Sequence, residues 1–278
     1  MKKQIAIVVD DFGEHATINA AALELARTGR ISAISCMTGG PAWLRGAAAL
    51  GEFERNQLDL GLHLDLTQYP LGRSAWQLAD LIAMGVLRRL NRRLIRDQVE
   101  RQCDAFEAAV GRPPDHVDGH QHVHQLPQVR ELLVDTLYRR YNPRPWLRDT
   151  RRARSVGLPA DVVQMESQVK SAIIEWLGAT GLRHLAARSD FRQNRHLLGI
   201  HSLHADERGY RHLLSKWLRT AATGDLLVTH PATPGGPVGT MATNRTAEYA
   251  VLNSSVLTDH LRETQTEVVR MSRLLTAV

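Results

Sequence analysis

The sequence predicts a single-domain α/β protein built on parallel strands, and two observations carry that expectation. Short runs of Ile, Val and Leu alternate with longer stretches of helical period, the pattern of strands covered by helices. Nearly every chemically suggestive group also falls at the C-terminal end of one of these runs or in the loop after it, where parallel α/β folds place their active sites. With 278 residues, 43% of them hydrophobic, the chain can bury a large core. That length suits one α/β barrel, with two small domains as the alternative.

Ile5 to Val9 is a continuous apolar run and reads as a buried strand, followed by a helix from about Glu14 to Gly29. Ile31 to Met37 is the second strand, closed by Gly39-Gly40-Pro41, and Leu58 to Leu66 is the third. From Val86 to about Val110 the residues Leu87, Leu90, Leu94, Val99, Cys103, Phe106 and Val110 recur at helical spacing, with arginines between them. Gly111-Arg112-Pro113-Pro114 stops this long amphipathic helix. After the histidine-rich stretch from His116 to His124, a helix runs from about Pro127, a residue suited to a first helical turn, to Arg140. Trp146-Leu147 is a short strand, and the segment around 150–195 reads as a surface insertion. Leu197 to Ile200 and Leu226 to Thr229 are two further strands around a helical pattern from Gly209 to Ala222, and Pro231 to Gly239 is a loop.

The formal charge of +6 comes from 35 Lys and Arg against 29 Asp and Glu, and the arginines bunch at Arg88 to Arg96, Arg139 to Arg154 and Arg183 to Arg195. A nucleic-acid binder would be basic too, but these runs carry no recognition motif, and 5% aromatic residues leave little to build a base-stacking surface from. No nucleic-acid partner is expected. Cys36 and Cys103 lie in apolar surroundings without Cys-x-x-Cys spacing, so neither a disulfide framework nor a thiolate metal site is indicated. The apolar run before Asp10 is too short for a signal-peptide core, and no stretch could span a bilayer. A cytoplasmic protein is the expectation, and a homodimer is compatible with it.

Asp10-Asp11 closes the first strand, where one acid can bind a metal while the other stays free as a general base. The plain structural alternative is a turn with Asp11 capping the next helix. If the chain is extended there, the two side chains point apart and have different roles. On the third strand, alternation puts Leu58, Leu60, Leu62, Leu64 and Leu66 on one face and Asp59, Gly61, His63 and Asp65 on the other, which suits a polar cavity. The stretch His116-Val117-Asp118-Gly119-His120-Gln121-His122-Val123-His124 holds four of the thirteen histidines in nine residues. If it is extended, His116, Asp118, His120, His122 and His124 share a face; if helical, His116, His120 and His124 do. Neutral imidazole is the commonest metal ligand, and Asp with two His and open positions is a hydrolytic composition. His230-Pro231 closes the last clear strand and could supply a proton donor; His201 has a similar position with weaker support.

Together these motifs, with Asp10-Asp11-Phe12-Gly13, Gly61-Leu62-His63-Leu64, Leu66-Thr67, the His116 to His124 stretch and His230-Pro231 in order from residue 4 to about 255, resemble the YdjC-like carbohydrate deacetylases. That group includes chitooligosaccharide deacetylase and the hopanoid-associated deacetylase. The resemblance implies a distorted (β/α) barrel related to the polysaccharide deacetylases, acting on an N-acetylated sugar. It implies one divalent ion, Mg²⁺ or Zn²⁺, bound by Asp11, His63 and His120, with Asp10 as general base and His230 as general acid. Arg148 resembles a family arginine that contacts substrate, and Arg245 and Glu248 fit the family's closing helix. Asp65, Asp118, His122 and His124 would fix the orientation of the ligand imidazoles. Two rivals come from other classes: a metal-dependent phosphoesterase using the same ligands, and a non-catalytic basic regulator or nucleic-acid binder.

Overall fold

The computed structural model describes residues 2–153, 172, 174–201, 204–236 and 240–276. Its first half runs β1 (Lys3–Phe12), α1 (Ala16–Arg27), β2 (Ala33–Cys36), α2 (Trp43–Leu50), β3 (Asp59–Leu64), α3 (Leu78–Val86), α4 (Arg92–Val110), β4 (His116–Gly119) and α5 (Val129–Arg140). The second half runs β5 (Trp146–Leu147), α6 (Thr180–Arg188), β6 (Leu197–Leu198), α7 (Glu207–Thr220), β7 (Leu226–Thr229), α8 (Thr240–Leu252), α9 (Ser255–Glu263), β8 (Thr266–Val268) and α10 (Met271–Thr276). The expected α/β architecture is present: the strands are parallel, in the order β5-β4-β3-β2-β1-β7-β6, and β8 adds to Lys3–Ile5 of β1. Parallel bridges Leu147↔Gln193 and Arg152↔Leu197 draw the β5 and β6 edges together, curling the sheet into a distorted barrel.

Alternation along the strands separates an outer face from a lumen. Ile5, Ile7 and Val9 of β1 pack into the large cluster beneath the helices with Leu60, Leu62 and Leu64 of β3. Ala6 and Val8 face the other way, meeting Ala33, Trp146, Leu226, Val228 and Met271 in a smaller cluster inside the curl. The inward face of β3 is polar, as its sequence indicates, but its residues serve different purposes. Asp59 sits at the N-terminal end, where its carboxylate accepts from the Ser272 N–H (2.9 Å) and hydroxyl (2.5 Å) and from Arg270 (3.2 Å). Gly61 lies beneath the His116 ring, which stacks on Trp146 with centroids 4.4 Å apart. A Cβ at Gly61 would fall 2.2 Å from His116 Nε2. Gly61→Ala is therefore expected to destabilise the protein by about 1–3 kcal/mol, read as a lower urea midpoint at unchanged m-value.

Two sequence expectations need correction. The helix expected from Val86 starts only at Arg92: Val86 ends α3, Arg88 takes φ 56°, and Asn91 caps α4 by accepting from the Arg93 (3.1 Å) and Leu94 (3.2 Å) N–H groups. Leu87, Leu90 and Leu94 keep helical spacing across that break, which hides it from a periodicity argument. Pro127 is not in the first turn of α5, since Gln128 at φ 65° turns the chain before Val129. Of the insertion expected around 150–195, residues 154–171 and 173 lie outside the described residues; α6 buries Leu182 and Ala186 in the large cluster. No helix among the described residues is long and apolar enough to cross a membrane.

Candidate metal centre and catalytic groups

β1 carries its apolar run to Asp10-Asp11 and then breaks register with β2 between Val9 and Phe12. Asp11 takes φ 64° in that irregularity. A plain strand would point the two carboxylates to opposite faces; the bulge brings both to the C-terminal mouth of the barrel. Asp11 Oδ1 then lies 3.4 Å from His63 Nε2 and 3.1 Å from His120 Nδ1. Asp10 is instead gripped by Arg148, whose two terminal nitrogens each donate to one carboxylate oxygen at 2.6 Å. One acid faces imidazoles and the other a guanidinium.

His63 arrives on β3 with its Nδ1 bonded to Asp118 Oδ1 at 2.7 Å, which turns Nε2 toward Asp11. Asp118 faces it from β4, where the register pairs the two residues directly. The same carboxylate accepts from the Ser35 hydroxyl at 2.5 Å and pairs with Arg148. A carboxylate that anchors the far nitrogen of an imidazole fixes its tautomer and aim.

The histidine stretch is neither a continued strand nor a helix that gathers its imidazoles. β4 ends at Gly119, and His120–Gln125 form a short 3₁₀ turn in which Gln121 and His122 take φ 51° and 59°. His120 reaches Asp11, while His124 uses Nε2 to donate to the Arg148 backbone oxygen at 3.1 Å. His122 packs near His124, with ring centroids 6.4 Å apart. His116 stays in the lumen, and neither of its ring nitrogens has a hydrogen-bond partner among the described residues.

Asp65 does not touch an imidazole, contrary to the orienting role expected of it from the sequence. β3 stops at Leu64, so the alternation that aligned Asp65 with His63 no longer applies. Its carboxylate accepts from the Thr67 (2.8 Å), Gln68 (3.0 Å) and Tyr69 (2.5 Å) N–H groups and shapes the loop. Arg148 is likewise placed differently from the implied substrate contact. It is 0% exposed, and Asp10 and Asp118 occupy its guanidinium.

His230 follows β7 and sets its Nε2 4.0 Å from Asp10 Oδ2, while its backbone N–H donates to Glu248 at 2.7 Å. Glu248 also accepts from His201 Nε2 at 3.1 Å and Asn244 at 2.8 Å, so His201 lies one residue behind the mouth. Ser35, Glu14 and Arg245 enter the constellation without having been assigned roles from sequence. Arg245 donates to Asp11 Oδ2 at 2.6 Å and to Glu14 at 2.9 Å. Glu14 had a local signal, three residues past Asp11; Ser35 had none.

The charges are strongly coupled. Burial disfavours the Asp11 carboxylate, yet Arg245 and the His120 and His63 hydrogen bonds hold it well below the usual carboxylate range. For Asp118, Arg148 and His63 outweigh burial in the same direction. Burial would neutralise His63, but Asp118 and Asp10 raise its pKa well above the ordinary value. At His230 burial prevails over Asp11, Glu248 and Asp10, and the imidazole titrates below its usual range.

Among the described residues, two groups are compact enough to hold a cation, with ligand atoms all within 4.8 Å: Asp11, His63 and His120, and Asp10, His63 and Asp118. Arg148 already neutralises both carboxylates of the second group. The first keeps one carboxylate and two imidazoles at the mouth, a donor set that fits a divalent ion with positions left open for water or substrate.

A family model described as YdjC-like protein matches residues 4–263. The carbohydrate deacetylase of Mus musculus is 29% identical over 148 residues, 48% of this chain and 47% of that protein. The chitooligosaccharide deacetylase of Yersinia enterocolitica is 33% identical over 144 residues, 48% of this chain and 55% of that protein. The chain thus spans about half the length of the curated relatives it matches. Among solved structures, a proposed cellobiose-phosphate cleavage protein from Enterococcus faecalis superimposes with TM-score 0.67 at 17% identity, covering 99% of this chain and 100% of that one. The Bc1960 peptidoglycan N-acetylglucosamine deacetylase gives 0.55 at 9% identity, covering 99% and 89%. At such identities the likeness is one of fold.

Proposed function

The chain belongs to the YdjC-like family, and on that footing we propose that it is a carbohydrate N-deacetylase that hydrolyses the acetamide of an N-acetylated amino sugar. The observation that carries this reading is the division of the acidic pair, with Asp11 facing two imidazoles and Asp10 held apart by Arg148. The names of the relatives support the substrate class.

Asp11, His63 and His120 would hold one divalent ion, Mg²⁺ or Zn²⁺. When bound, such an ion polarises a carbonyl and lowers the pKa of water toward neutrality. Asp10 takes the proton from the attacking water, its carboxylate oriented by both terminal nitrogens of Arg148. Asp118 and Ser35 fix the His63 ring, and Arg245 braces Asp11 from the side away from the imidazoles. His230 delivers a proton to the departing nitrogen as the amide C–N bond breaks, giving acetate and a free amine. The main-chain bond of His230 to Glu248 sets the ring at the mouth.

Acetate release from N-acetylglucosamine oligomers, with a phosphate ester assayed in parallel, tests the reaction class. Ion-loaded protein should release acetate; phosphate release without acetate would select the phosphoesterase instead. His230→Asn is expected to lower turnover about 10²- to 10⁴-fold with ion content retained. A variant that loses its ion would make His230 a ligand.

A further inference from the structure

The segments that lead into β3, β4 and β5 meet at the opposite end of the barrel from the catalytic mouth. Between them and the chain around α10 lies a cavity of about 560 Å³. Its wall carries five guanidinium groups, Arg55, Arg140, Arg144, Arg192 and Arg270, against the two carboxylates Asp115 and Asp190. The size suits a small metabolite.

These guanidiniums keep much of their donor capacity. Arg140 is committed to Glu107 and Asp104. Arg55 uses only Nε, toward an Asp115 carboxylate that also serves Arg112. Arg144 bonds Asp190 through one terminal nitrogen at 3.2 Å, and its Nε is buried with no hydrogen-bond partner. Asp190 is 92% exposed, so this pair is weak and open to exchange. Arg270 holds Asp59, Ser272 and the Arg55 backbone oxygen, all through one nitrogen. Arg192 has no carboxylate partner among the described residues. Each guanidinium offers five donors in a fixed fork that matches phosphate oxygens. Prolines 113, 114, 143 and 145 supply an apolar wall beside this charge.

We propose that this cavity is a second binding site, for a phosphate-bearing small molecule, distinct from the catalytic mouth. Its floor is Trp146, which stacks on the lumenal His116, so the strand layer separates the two sites. Arg144 and Arg192 provide the principal phosphate donors.

Calorimetric titration of the ion-loaded full chain tests this, using inorganic phosphate, a hexose phosphate and a nucleoside monophosphate at constant chloride ionic strength. The wild type should bind at least one of these saturably at a single site. Arg144→Ala and Arg192→Ala, checked for folding by circular dichroism, should each weaken it by about tenfold. Asp11→Asn should leave it intact. The ranking of the three probes tells free phosphate, sugar phosphate and nucleotide apart. No saturable binding, affinity undiminished from the wild type in both arginine variants, or loss of binding in Asp11→Asn would overturn the assignment; the last would place the anion at the catalytic mouth.

Discussion

Asparagine at position 10 is expected to lower turnover about 10²- to 10⁴-fold while leaving the divalent-ion content of the protein unchanged. The substitution is nearly isosteric, so the side chain can remain beside Arg148, but an amide cannot accept the proton of the attacking water. Ion content stays because the proposed ligands are Asp11, His63 and His120 and do not include Asp10. Acetate release and elemental analysis on the same preparation give both quantities. If Asp10→Asn emptied the site instead, the roles of the paired acids would be reversed.

Replacing Arg148 with methionine is expected to cost about 3–5 kcal/mol of stability as well as most of the activity. Arg148 is 0% exposed and lies between Asp10 and Asp118, so its removal strips two buried carboxylates of their shared guanidinium and leaves His63, bonded to Asp118, as the nearest counter-charge. The loss is read from the urea midpoint, with turnover measured under conditions where the variant is still folded. Arg148→Lys should recover part of the stability and little of the turnover. A point charge can neutralise one acid but cannot bridge both oxygens of Asp10 while reaching Asp118. A stable, active methionine variant would show that the bidentate contact is incidental.

The sequence made the parallel α/β fold readable because the strands are short, apolar and bounded by turn residues. Ile5 to Val9, Leu58 to Leu66 and Leu226 to Thr229 all correspond to strands of the sheet. It could not show that α4 starts afresh at Arg92, since the apolar period continues across the break. Among the candidate site residues, Asp10, Asp11, His63, His120 and His230 drew notice by their place at strand ends, and the fold brings them to one mouth. How Asp10 and Asp11 share that mouth was not legible: it depends on a bulge and a positive φ at Asp11, a residue type that gives no warning of either. Arg148 was visible as a candidate but not as the partner of Asp10, because that contact joins residues 138 positions apart. Asp65 shows the converse failure, where alternation was extended one residue past the end of its strand.

The most direct test of the proposed centre is to measure divalent ion per chain and acetate release together, in the wild type and in His63→Ala. The wild type should carry one equivalent, lose activity on chelation and regain it when the ion is restored; His63→Ala should lose both ion and activity. Wild-type protein that releases acetate with no ion bound, or a His63→Ala variant with undiminished activity, would contradict the account.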